Sequence, residues 1–127
     1  MITAFELFEH FSDPMNDIGN ILEKCDNLIF TTNILPKSEP KPGKWWYYSP
    51  ETGQHIAIYT KNALEYVANY FSKQYAGNDS MHIFSEEHIT NMRLRICCKF
   101  ADTLAGTRKR ESLLSKDYES ITGRTLS

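Results

Sequence analysis

Glu6, Glu9 and His10 bring two carboxylates and an imidazole into one five-residue stretch, directly after the apolar run Ile2-Thr3-Ala4-Phe5. Charged groups are costly beside a core. Two carboxylates held about 4 Å apart repel by roughly 4 kcal/mol at an effective dielectric of about 20, so close neighbours need a proton, a basic partner or a cation. If the chain begins to coil at Glu6, the i, i+3, i+4 spacing sets all three groups on one side of a single turn. A hard divalent ion fits two oxygens and one imidazole there. The competing reading is a plain helix surface that leaves the three solvated and apart.

The elements that must position this cluster are legible on both sides of it. Ile2–Leu7 has the length and apolar character of a buried strand, and Asp13-Pro14 is a helix start, an N-cap followed by the preferred first helical residue. The acidic groups therefore fall at the carboxyl end of a strand, where open α/β sheets form their ligand crevice. From Pro14 to Cys25, Met15, Ile18, Leu22 and Cys25 recur at three and four, with Ile21 widening the stripe, which predicts a helix. Asn27 to Thr32 follows as a second strand. Strand, helix, strand is a βαβ unit with parallel strands.

Residues 33–54 carry no periodic pattern, and Pro36, Pro40, Pro42, Gly43, Pro50 and Gly53 exclude most regular structure from them. Loops of this length are usually lids or binding segments. Within this one, Trp45-Trp46-Tyr47-Tyr48 places four large rings in a row, which either line an acceptor pocket or anchor the loop to the core. His55 stands at the far edge of the loop, where the chain can return to the crevice of Glu6 and Glu9; alone it is as readily structural as a ligand. Thr60 is an N-cap for a helix over Lys61–Lys73 with Leu64, Val67, Ala68 and Phe71 on one face. Tyr75 to Phe84 reads as strand, turn and strand. From Ser85 a last long helix carries Ile89, Met92, Ile96, Phe100 and Leu104, with Arg93, Arg95 and Lys99 on its other side and Arg108-Lys109-Arg110 beyond. That basic face is either solvated or turned to an anionic partner. Ser115–Glu119 suggests a short terminal helix.

The chain has 127 residues, enough for one domain with a core, and a formal charge of −2, which gives no net pull toward nucleic acid or an anionic membrane. Three cysteines, two of them adjacent at Cys97 and Cys98, suit reduced thiols better than a disulfide framework, so a cytoplasmic location is expected. No stretch reads as a signal peptide or a membrane span, so no membrane partner is expected.

Taken in order, Ala4-Phe5-Glu6-Leu7-Phe8-Glu9-His10-Phe11-Ser12-Asp13-Pro14, Leu28-Ile29-Phe30-Thr31-Thr32, Trp45-Trp46-Tyr47-Tyr48 and Gly53-Gln54-His55-Ile56 resemble the carboxyl-terminal half of a class I S-adenosylmethionine-dependent methyltransferase. More narrowly, the chain is similar to bacterial methyltransferase-domain proteins associated with sugar or surface-polysaccharide biosynthesis. The resemblance runs from Ile2 to about Glu119, and its specificity lies in the conjunction of the segments, none of which suffices singly.

The resemblance implies an α/β fold, a partial Rossmann-like sheet made of the equivalents of the family's fourth to seventh strands, the last inserted antiparallel between its neighbours. Residues 1–106 would be the carboxyl-terminal half of the methyltransferase domain and 107–127 a helical extension and tail. The backbone at Ala4, Phe5 and Glu6 would face the methionine part of S-adenosylmethionine, and Trp45, Trp46, Tyr47 and Tyr48 would close over a small, sugar-like acceptor. Glu6-x-x-Glu9-His10 also resembles the metal-binding segment of ubiquinone-pathway and small-RNA methyltransferases. By that likeness Glu6, Glu9, His10 and His55 would hold Mg2+ or another divalent ion, or His10 or His55 would take the acceptor's proton.

One departure is large. The family grips its cofactor with a glycine-rich turn after its first strand and an acidic residue after its second, whereas the six glycines here are scattered singly. The expectation is therefore half of a fold, with an apolar strand edge at Ile2–Leu7 that pairs with a second copy or with a separate amino-terminal half. The alternative is a non-catalytic remnant or interaction module of the same fold.

Overall fold

The computed structural model describes residues 1–107 and Ser120. Among them, four strands, β1 (Ile2–Ala4), β2 (Leu28–Thr31), β3 (Gln74–Gly77) and β4 (Met81–Ser85), are interspersed with three α-helices, α1 (Pro14–Leu22), α2 (Lys61–Tyr70) and α3 (Asn91–Thr107). Two single 3-10 turns lie at Phe8–His10 and Trp46–Tyr48. The helix starts follow from local chemistry: the Asn16 amide donates to Asp13 Oδ1 at 3.4 Å ahead of Pro14, and the Ala63 amide donates to Thr60 Oγ1 at 3.1 Å.

The strands form one mixed, open sheet in the order β1-β2-β4-β3. β1 runs parallel to β2, with Ala4 opposite Phe30, as the strand-helix-strand reading predicts. β4 is antiparallel to both its neighbours, with His82 opposite Phe30 on one side and Gly77 on the other. The fold is thus a small α/β arrangement with a hairpin strand inserted between β2 and β3.

Alternation along β2 buries Leu28 and Phe30 while Ile29 and Thr31 stay half-buried. Leu28 and Phe30 join Ile18 and Leu22 of α1, Leu64, Val67 and Ala68 of α2, Phe84 of β4 and Phe8 in a single core. Phe8 stacks on Phe30 with centroids 3.9 Å apart. Burying such a ring contributes roughly 1.5–3 kcal/mol, and here it pins the turn at Phe8–His10 to the sheet. Gly19 of α1 faces the ring of Phe71, the residue just past α2, which would come within 3.2 Å of an added Cβ.

The structure differs from the sequence reading in extent and in faces. β1 ends at Ala4 rather than Leu7, leaving Phe5 and Leu7 exposed. α2 stops at Tyr70 and α3 starts at Asn91, later than Ser85. On α3 the stripe Met92, Ile96 and Phe100 is exposed while Leu94 is buried. Met1–Arg95 forms one compact unit and a second begins at Ile96. The basic run Arg108–Arg110 and the terminal helix expected over Ser115–Glu119 lie outside the described residues.

Candidate metal and catalytic site

Glu6 is where the chain leaves the sheet. Its φ of 49° lies in the left-handed region, which costs a non-glycine residue about 1–2 kcal/mol. Two bonds to one side chain offset that cost: the Glu6 amide donates to Thr31 Oγ1 at 2.8 Å, and the Thr31 hydroxyl donates to Glu6 Oε1 at 2.9 Å. The bend breaks the single turn that the spacing of Glu6, Glu9 and His10 suggested. Glu6 is turned to Thr31, and Glu9 and His10 go on into the next turn.

Phe8 points into the core, so Glu9, its neighbour, is carried down with it and is fully buried. The segment after the long loop docks on the same turn, with the amides of Ile56 and Ala57 donating to the Glu9 carbonyl at 2.9 and 3.0 Å, and the Tyr59 hydroxyl donating to the Phe8 carbonyl at 3.0 Å. This docking brings in His55. One carboxylate oxygen of Glu9 and one ring nitrogen each of His10 and His55 lie within 4.8 Å of one another.

The protons can be assigned from the partners. His10 Nδ1 is 2.9 Å from the Gln54 carbonyl, and His55 Nδ1 bonds to the Tyr47 carbonyl. A carbonyl only accepts, so each Nδ1 carries a hydrogen, and in the neutral imidazole each Nε2 then keeps its lone pair. Outer hydrogen bonds of this kind orient metal-binding histidines. Glu9 completes the pattern: its two oxygens are the only buried side-chain nitrogen or oxygen atoms among the described residues that have no hydrogen-bond partner. A buried carboxylate left so needs a cation or a proton. The donor set therefore fits a divalent ion, with Glu9, His10 and His55 as its protein ligands.

Two phenols border the carboxylate. Burial pushes the Tyr47 hydroxyl up to about 12, held back by its hydrogen bond to Thr32 and raised a little further by Glu9. Burial, then the Glu9 charge, push Tyr59 higher still. Both stay protonated near neutrality, so neither serves as a base; the free Nε2 atoms of His10 and His55 are the proton acceptors within the cluster.

The aromatic run divides by position. Tyr47 is fully buried, Trp46 is 75 % exposed, and Trp45 and Tyr48 are half-buried, their rings edge to face at 5.1 Å. Ala4 lies in the core and Phe5 is 58 % exposed at the end of β1. Sequence reasoning missed Tyr47 and Gln54 as the groups that orient the histidines, and main-chain carbonyls leave no sequence signal. Thr31, which holds Glu6, could have been found: a hydroxyl at the carboxyl end of a strand points to the crevice. No protein-family model matches the chain, and no curated protein or solved structure matches it.

Proposed function

We propose that this chain is the carboxyl-terminal portion of an S-adenosylmethionine-dependent methyltransferase in which Glu9, His10 and His55 hold a divalent ion beside a small, sugar-like acceptor. The observation that carries the reading is the meeting of one buried, unpartnered carboxylate with two imidazoles whose Nδ1 protons are already engaged. The sheet order β1-β2-β4-β3, with its one inserted antiparallel strand, supports it as the arrangement that the resemblance implies for the fourth, fifth, seventh and sixth strands. One carboxylate and two imidazoles suit manganese, iron, cobalt or zinc better than Mg2+, which favours oxygen ligands.

The ion, when bound, would supply Lewis acidity that lowers the pKa of an acceptor hydroxyl. The chain's own part is alignment and proton handling. The attacking oxygen or nitrogen bonds the sulfonium methyl carbon, the broken carbon–sulfur pair stays on sulfur, and in an ion-free version of the site Nε2 of His10 or His55 takes the acceptor's proton. Trp46, exposed beside buried Tyr47, offers a flat face for the acceptor.

The described residues do not fit the donor's grip. Gly19 lies inside α1, Gly43 and Gly53 in the long loop, Gly77 in β3 and Gly106 in α3, so none of the glycines among the described residues forms a glycine-rich turn between a strand and a helix. Donor binding would then need further strands along the outer edge of β1, from a second copy or a separate amino-terminal half. The same lack favours a second reading, a non-catalytic interaction module. Free Cys25 and Cys97 suit a reducing, cytoplasmic setting under either reading.

Calorimetric titration with S-adenosylmethionine separates the two. Micromolar binding by this chain refutes the non-catalytic module; binding only after an amino-terminal half is added supports a divided enzyme. Absence of binding in both arms refutes the methyltransferase.

A further inference from the structure

We propose that Tyr47 is the positioning residue of this site, an inference that rests on the ion-binding reading: it fixes the rotamer and tautomer of His55 before any ligand arrives. Its carbonyl takes the His55 Nδ1 hydrogen, and its ring lies against the His55 ring with centroids 4.5 Å apart. One residue therefore holds the imidazole by an edge and by a face.

Tyr47 is itself held from below. Its hydroxyl is 3.0 Å from Thr32 Oγ1, just past the end of β2. The Thr32 carbonyl accepts the His82 Nε2 hydrogen from β4 at 2.9 Å, and His82 Nδ1 accepts the Tyr75 hydroxyl from β3 at 2.9 Å. Tyr47, Thr32 and His82 are all fully buried or nearly so. This polar column crosses three strands of the sheet and ends under His55. Each of its buried side chains has a partner, so the Tyr47 phenol has one satisfied position and cannot slide without orphaning a neighbour.

A histidine without such a tether presents either nitrogen and samples several rotamers, and loss of an outer-shell partner typically weakens ion binding 10–100-fold. The column thus does for His55 what the Gln54 carbonyl does for His10, but from the interior of the sheet. That link makes the core, and not only the loop, a determinant of the site.

Tyr47→Phe deletes the hydroxyl and keeps the ring and the carbonyl; Thr32→Val removes the hydroxyl's partner and Thr32→Ser retains it. With Mn2+ alone titrated into the full chain, Tyr47→Phe and Thr32→Val should each weaken binding about tenfold, and Thr32→Ser should stay near wild type. In the ion-free protein, long-range proton–nitrogen spectra should show the His55 ring as the pure Nδ1–H tautomer, becoming a mixture in Tyr47→Phe and Thr32→Val. Because the Tyr47 hydroxyl also borders the Glu9 carboxylate, the tautomer decides: unchanged in both variants, it overturns the proposal and leaves Tyr47 as packing, whatever the affinity. If wild type binds no Mn2+, the ion reading fails and the tautomer decides the positioning role alone: a mixture in the variants upholds it, and an unaltered tautomer overturns it. Should Tyr47→Phe not fold, the Thr32 pair decides by the same tautomer readout.

Discussion

The His10 and His55 rings meet edge to face, their centroids 5.2 Å apart and their planes at 71°, each with Nδ1 turned to a main-chain carbonyl. Two imidazoles from distant parts of the chain, both with Nε2 free and both beside a buried carboxylate, predict ion-dependent stability. Mn2+ at about 100 times its dissociation constant should stabilise the fold by about 2.7 kcal/mol, read as a rise in the thermal midpoint. Glu9→Gln should remove that rise. Glu6→Gln should leave most of it, because the Glu6 carboxylate already accepts from Thr31 at 2.9 Å. A response lost in Glu6→Gln and kept in Glu9→Gln would reverse the ligand assignment.

Trp46 and Tyr47 are adjacent and opposite in burial, 75 % exposed against 0 %. Tyr47→Ala should cost about 3–5 kcal/mol in urea denaturation, as large cavities in cores do. Trp46→Ala should move stability by no more than about 0.5 kcal/mol while weakening the binding of sugar-like acceptors. The reverse ordering of the two stabilities would make residue 46 the anchor and remove it from the acceptor surface.

Strand and helix identities were legible because they rest on local rules: a short continuous run at Leu28–Thr32, Asp13-Pro14 and Thr60 as helix starts, apolar spacing in α1 and α2. What escaped depends on tertiary partners. Ile2–Leu7 is mostly apolar, and nothing in it announces that Thr31 would hold Glu6 in a left-handed bend and end the strand at Ala4. Four consecutive rings have no period, so which of Trp45 to Tyr48 turns inward was not readable. Met92, Ile96 and Phe100 have true helical spacing, yet spacing marks a face without saying what covers it. Glu9 and His10 are legible as chemistry from their types and spacing; position in the chain allows His55 to return to them and the family resemblance names it as a ligand, but the meeting itself depends on how residues 54–59 dock across a long loop.

His82 gives the fold a pH dependence. Fully buried, it accepts from the Tyr75 hydroxyl and donates to the Thr32 carbonyl, so its neutral form fills both roles. Burial, the dominant cause, lowers its pKa from the ordinary 6.5. The unfolded chain, with the ordinary value, then binds the proton first as pH drops. Stability is full above pH 6.5 and is lost as pH falls from there toward the lowered folded pKa, at up to about 1.4 kcal/mol per pH unit. Urea midpoints between about pH 8 and about pH 5 should show the decline, and His82→Gln should flatten it. An undiminished slope in that variant would assign the effect to another group.

Ser72 ends α2 in a conformation that suits glycine. Its φ is 56°, its amide donates to the Asn69 carbonyl at 3.0 Å, and the next amide, from Lys73, reaches back to the Ala68 carbonyl at 2.8 Å. This paired closure requires a left-handed residue at the Ser72 position, and for L side chains that backbone costs about 1–2 kcal/mol. Ser72→Gly relieves the cost, less the extra freedom glycine gains in the unfolded chain, for a net gain of about 0.5–1 kcal/mol. Ser72→Val should lose stability, because a β-branched side chain is strained there. Urea denaturation of the two variants measures both. A loss in Ser72→Gly would mean that the serine hydroxyl, and not the backbone geometry, holds the end of the helix.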